Sequence, residues 1–335
     1  MSNPTPINII IDDRIRLMSA ALAATNFPQS AQERKRHHAH AHARALIKHL
    51  AEREMKKHPA IMALQGLLDE GTPLEALFTL AMSLQWPKLT ADTLPPWVPN
   101  GFTSLLWDFY EKAELAAFFD EGSKVWETAE AQAKQVFETV YFKETLQPFL
   151  GDIPEDLVFM PNILWPADRE VGIRVDNQLI AIVPPALAWG ESPPWPYDEE
   201  SMMAIHVYPG ALSEYARILL TTYLHEHAEK VSVAAEKDLP VGDLMAAEYP
   251  SWEEQFVTLF KLAVVAIYLE DFMNPTEARG YILMEKKVHN MTILPGTISV
   301  LRRFLQEKGK RYDTLADFLT VFPTQLRVAK RIITM

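Results

Sequence analysis

The chain contains no cysteine, which excludes disulfides, thiolate metal ligands and a cysteine nucleophile. Any metal would have to rest on His, Asp or Glu. Glycine is scarce, 12 of 335 residues against 24 prolines. No Gly-x-Gly-x-x-Gly or Walker-type run occurs, and this argues against the phosphate-cradling loops of nucleotide-binding α/β folds. Positive charge is also short, with 32 Lys and Arg against 44 Asp and Glu and a formal net charge of −12. That balance repels a polyanion, so no nucleic-acid partner is expected. The longest apolar run, Leu262 to Leu269, is far below the ~20 residues a membrane span needs, so no membrane partner is expected either. The stretch Met1 to Phe27 places Asp12 and Asp13 before its first arginine and has no apolar h-region. It does not read as a signal peptide, and a cytoplasmic location is the expectation.

What is present is an ordinary globular composition, 48% hydrophobic and 23% charged. The patterning predicts an α+β, mainly helical fold. Ile7 to Ile11 reads as a strand running into an Asp12-Asp13 helix start. Arg14 to Ala24 is expected to be helical, as is a long exposed helix over Ala31 to Lys57 that His58-Pro59 interrupts. Further helices are expected over Ile61 to Asp69, up to Leu84, and from Phe102 to Phe149. After Gly151, the runs Leu157 to Met160, Val171 to Val175 and Leu179 to Val183 read as strands, the last two joined at Asp176-Asn177 as a hairpin. Met203 to Tyr208 reads as another strand. Helices follow over Leu212 to Val233, Trp252 to Phe272, Thr276 to Met284 and on to the C-terminus. The segments 1–150 and 151–335 are expected to form an N-terminal strand and helical lobe and a sheet, motif-helix and helical lobe, together making one compact unit.

Chemistry concentrates at Leu224-His225-Glu226-His227-Ala228-Glu229. On a continuous helix, residues four apart share a face, so His225 and Glu229 are candidate metal ligands and Glu226 a candidate general base beside them. The pattern is His-Glu-x-x-Glu, one substitution from the His-Glu-x-x-His of zincins. A helical wheel places His227 with Leu220, Tyr223, Leu224 and Val231, as a core or supporting histidine. The alternative for the whole motif is a helix ending in ordinary charges, with Glu226 and Lys230 paired. Glu253 and Glu254, at the start of the next long helix, are candidate third ligands, as is Glu248 more weakly, although acids also favour a helix N-terminus on electrostatic grounds. Glu270 and Asp271 are weaker still. Tyr281, His289 and His206 are the candidates for transition-state stabilisation.

A second constellation is histidine-rich. Six of the ten histidines lie between Arg34 and His58, and His38 and His42 are spaced to chelate a metal or to form a pH-sensitive docking surface. The alternative is a solvated basic face.

The order of features resembles an uncharacterised bacterial family of gluzincin-type zincin metallopeptidases. The carrying residues are Ile9-Ile10-Ile11-Asp12-Asp13-Arg14-Ile15-Arg16-Leu17, Lys57-His58-Pro59-Ala60-Ile61, Leu74 to Ala81, Leu106-Trp107-Asp108-Phe109-Tyr110 with Phe118-Phe119, and Tyr223-Leu224-His225-Glu226. The resemblance implies a zincin-like fold, with a small mixed sheet beside an active-site helix and helical lobes on both sides. It further implies zinc on His225, catalysis by Glu226 and a peptide substrate. The second ligand falls on Glu229 where the family has histidine. Two functional readings follow: a divergent metallopeptidase with its peptide along the 203–208 strand, or an inactive zincin-like module that binds a peptide or protein in a cleft walled by Trp189 and Trp195.

Overall fold

In the computed structural model residues 4–34, 40–185 and 201–334 are described, with the backbone path alone for 34, 201–206 and 331–334. The first elements are β1 (Ile7–Ile9), α1 (Asp13–Ala24), α2 (Phe27–Arg34), α3 (Ala41–Glu52), α4 (Pro59–Asp69) and α5 (Leu74–Ser83). Next come α6 (Phe102–Lys112), α7 (Leu115–Glu121), α8 (Ser123–Val136), α9 (Phe142–Leu150), β2 (Asp156–Pro161), β3 (Val171–Val175) and β4 (Gln178–Val183). The remainder is α10 (Ser201–Glu226), α11 (Ala228–Ala235), α12 (Asp243–Glu248), α13 (Trp252–Tyr268), α14 (Pro275–Val288), α15 (Leu294–Glu307), α16 (Leu315–Leu319) and α17 (Phe322–Thr334). The fold is therefore mainly helical with a small sheet, an α+β arrangement. No helix among the described residues is long and apolar enough to cross a membrane.

Two compact units divide the chain, each drawn from separate stretches. One contains residues 7–138 and 156–207, the other residues 1–6, 139–155 and 208–335. The first holds the sheet, ordered β1-β2-β4-β3. β1 pairs in parallel with β2 from Ile7 on Leu157, and β2 in parallel with β4 from Asp156 on Gln178. β3 runs antiparallel to β4, with Ile173 opposite Ile180. The β3–β4 turn puts Asp176 at φ 49°, a left-handed position that aspartate tolerates better than most residues. Val158, Met160, Ile180 and Ile182 pack with Ile15, Met18 and Leu22 of α1 and Leu77 and Phe78 of α5 in one apolar cluster.

Asp12 caps α1 through its side chain, accepting from the Arg14 N–H at 2.9 Å. Arg14 in turn grips both Asp12 oxygens and the Met82 and Leu84 carbonyls. The Asp12-Arg14 part of the opening motif thus ties the start of α1 to the end of α5.

Inside the second unit the core is aromatic. Phe142 meets Tyr268 at 5.0 Å, and Phe149 lies 5.3 Å from Phe260 and 5.8 Å from Phe304.

Three expectations are corrected. Residues 203–208 are not a strand but lie in α10; a short apolar run fits a buried helix as readily as a strand. The expected peptide-presenting edge at that place is therefore absent. The stretch 31–57 is not one helix, because His40 is a non-helical cap before α3 and Glu54 adopts φ 54°. Finally, 212–233 breaks after Glu226.

Candidate functional site

The break after Glu226 decides the geometry of the motif. His227 has φ −114° and ψ 30°, outside the helical region, and stands as the N-cap of α11. Its ring lies 4.4 Å from Tyr223, edge to face. Four-residue spacing aligns side chains only along one continuous helix. His225 ends α10 while Glu229 sits in the first turn of α11, so the expected common face is lost.

Of the candidate ligands, the fold brings two together. His225 Nε2 is 3.3 Å from Glu253 Oε1, with the side chains 70% and 33% exposed. Glu226 and Glu229 are exposed. Glu254 is committed elsewhere, its Oε2 accepting from the Ser251 N–H at 2.9 Å and the Ser251 hydroxyl at 2.7 Å in a capping box. Those hydrogen bonds hold its carboxyl below the usual range. Lys230 pairs with Asp317 rather than with Glu226.

Tyr281 is buried in α14, His289 caps the end of that helix with Nδ1 2.8 Å from Glu285, and the side chain of His206 lies outside the described residues.

A zinc centre requires three protein ligands at about 2 Å plus an open position. Among the described residues no group of three or more His, Asp or Glu is close enough together to hold a metal ion. The residues present do not fit the zinc that the motif implies.

A charged group missed in the sequence lies on the same two helices. Glu214 is buried; its Oε2 accepts from Arg217 Nε at 2.7 Å and its Oε1 lies 3.7 Å from Lys261 Nζ. The Glu-x-x-Arg spacing was the available signal. Replacing Arg217 with Met leaves a buried carboxylate with one cation, and is expected to destabilise this unit by about 2 kcal/mol. Denaturant unfolding read at Trp252 checks this; an unchanged midpoint would count against the buried pair.

The described histidines of the cluster, His40, His42, His49 and His58, do not form a solvated face. His40 and His58 are buried helix caps, with their Nδ1 atoms accepting from the His42 N–H at 3.1 Å and the Ala60 N–H at 3.2 Å. Because His58 Nδ1 accepts, its proton rests on Nε2, which donates to Asp108 at 2.9 Å. His49 Nε2 donates to the Ala113 carbonyl at 2.7 Å. The His42 ring stacks on Phe118 at 5.0 Å. His37 and His38 lie outside the described residues, as do Trp189 and Trp195.

His58→Ala should cost about 1–2 kcal/mol through loss of the cap. His58→Asn, which restores a capping acceptor, should recover most of it in the same thermal unfolding measurement.

Among known proteins, the chain matches no family model, no curated protein and no solved structure.

Proposed function

We propose that this chain is a zincin-like module that binds a peptide or protein and does not hydrolyse it. The observation that carries the reading is the end of α10 at Glu226. It parts His225 from Glu229 and leaves His225 facing one carboxylate, Glu253. Hydrolysis by a metal-activated water needs an open but complete ligand set, and a single imidazole–carboxylate contact is an ordinary surface ion pair. The order of sequence features supports a zincin-like ancestry, and the dismantled motif supports loss of the chemistry. His225, Glu226, Glu229 and Glu253 then offer a polypeptide ligand exposed acceptors and negative charge.

The meeting of His225 with Glu253 favours a second reading, a divergent metallopeptidase, because it joins two of the expected ligands. Elemental mass spectrometry on tag-free protein, equilibrated with zinc and desalted, separates the two. The expected result is far less than one zinc per chain, no difference between wild type and His225→Ala, and no casein cleavage that depends on Glu226. Stoichiometric zinc that disappears in a folded His225→Ala variant, with hydrolysis abolished in Glu226→Gln, would establish the second reading instead.

A further inference from the structure

On residues separate from the α10–α13 surface, an aromatic step stands half-exposed in the sheet-containing unit. Trp107 and Tyr110, one turn apart on α6, stack with centroids 5.1 Å apart and planes 24° apart. Trp86, from the loop after α5, stands edge-on to both, 6.2 Å from Trp107 and 5.3 Å from Tyr110. All three are partly exposed. The row continues inward, since Tyr110 lies 6.2 Å from Phe119.

Carboxylates border this row. Glu111 and Asp120 are exposed, and neither takes part in an ion pair or side-chain hydrogen bond among the described residues. Burial raises the Tyr110 phenol, and the charges of Asp13, Asp120 and Glu111 add to this while Arg16 opposes it. Asp13 and Arg16 already neutralise one another at 2.8 Å. Asp120 also acts on that guanidinium, so one cation stands against three carboxylates beside the rings, and Glu111, one turn from Trp107 on α6, makes no ion pair among the described residues.

One cation already occupies the inner end of the same row. The Arg16 guanidinium sits 3.9 Å from the Phe119 centroid and 4.8 Å from that of Trp126. A flat, delocalised guanidinium stacks on aromatic faces while its N–H groups bond carboxylates, which a compact ammonium does less well. The outer rings, Trp86 and Trp107, present a half-exposed face with Glu111 beside it, and among the described residues no guanidinium stacks on them.

We propose that the Trp86–Trp107–Tyr110 step, with Glu111 and Asp120, is a docking site for an arginine side chain carried by a partner polypeptide. Shape selects the planar group and the two carboxylates select its charge. On a chain with a net charge of −12, a basic segment is also drawn in at long range.

The test is fluorescence anisotropy with a short fluorescein-labelled peptide carrying two arginines and its twin carrying neutral citrulline at the same places. The arginine peptide is expected to bind about tenfold more tightly, with an affinity that falls as salt is raised. The Glu111→Gln/Asp120→Asn double variant, which changes exposed groups alone, should weaken it about fivefold. Trp107→Leu should weaken it further, with thermal unfolding run alongside; if that variant does not fold, the charge variant decides. Equal binding of the two peptides, or affinity unchanged in the charge variant, would overturn the proposal. So would displacement by tetramethylammonium as effective as that by arginine amide, because the site would then read charge without the guanidinium plane.

Discussion

Lowering the pH from 7 to 4 is expected to remove about 3 kcal/mol from the stability of the sheet-containing unit through two buried histidines. The groups responsible are His40 and His42, both held down to about 4 against an ordinary 6.5. Burial is the main cause for each; His42 and Arg44 add to it at His40, and Arg16 adds to it at His42. Above pH 6.5 both states are neutral and nothing is lost. Between 6.5 and 4 the unfolded chain takes up protons that the folded chain refuses, so stability falls as pH falls and levels off below 4. Full linkage would give about 3 kcal/mol per histidine, and partial solvent access reduces this to roughly half. In the other unit a separate loss begins as the pH falls through the ordinary carboxylate range, from groups such as Asp317, held at about 2 by Lys230 and Thr314. Urea unfolding followed by tryptophan fluorescence reads mainly this unit, because Trp86, Trp97, Trp107, Trp126 and Trp165 belong to it. In a His40→Asn/His42→Gln variant the slope between pH 6.5 and 4 should largely vanish. A slope equal to wild type would sink the assignment.

The substitution Gly122→Ala should destabilise the same unit by about 2–3 kcal/mol, although alanine is the better helix former by about 1 kcal/mol. Gly122 joins α7 to α8 at φ −85°, a conformation any residue adopts, so space and not backbone freedom requires glycine. A Cβ there would collide with His42 Cε1 and come within 2.8 Å of its Nε2. The ring cannot swing clear at low cost, because it is stacked on Phe118 and meets Trp126 edge-on at 6.2 Å. The sign of the coupling is the sharper prediction. With His42→Ala already present, Gly122→Ala should cost little, so the double variant is much more stable than the sum of the singles implies. Additive losses in urea unfolding would show that the two side chains do not compete for the same space.

Where the sequence was legible, a local signal agreed with the tertiary context. Runs rich in β-branched residues around an Asp176-Asn177 turn gave β2, β3 and β4 almost to the residue, and Asp12 was readable as a cap. The 203–208 run failed because it is apolar on both patterns and its neighbours decide. Nothing in the sequence announced the break at His227, since neither glycine nor proline marks it, and a helical wheel assumes the continuity it is meant to test. The caps at His40 and His58 were hidden for a chemical reason: imidazole resembles a capping carboxamide only when Nδ1 is deprotonated and turned inward. At the candidate site the sequence paired His225 with Glu229 and offered Glu253 only among alternative third ligands; the His225–Glu253 contact, like the Glu214–Arg217–Lys261 group, depends on α13 lying beside α10.

The His227 break also bears on any attempt to re-engineer the motif. Glu229→His would write the His-Glu-x-x-His letters of zincins into the chain, yet the new imidazole would lie in the first turn of a second helix whose phase is set by the turn before it. A chelate would have to be rebuilt from the backbone outward, by first persuading residues 226–228 to continue the helix, and His227 would then have to give up its packing on Tyr223. The obstacle to building a metal chelate in this chain is thus one of helical phase before it is one of ligand identity.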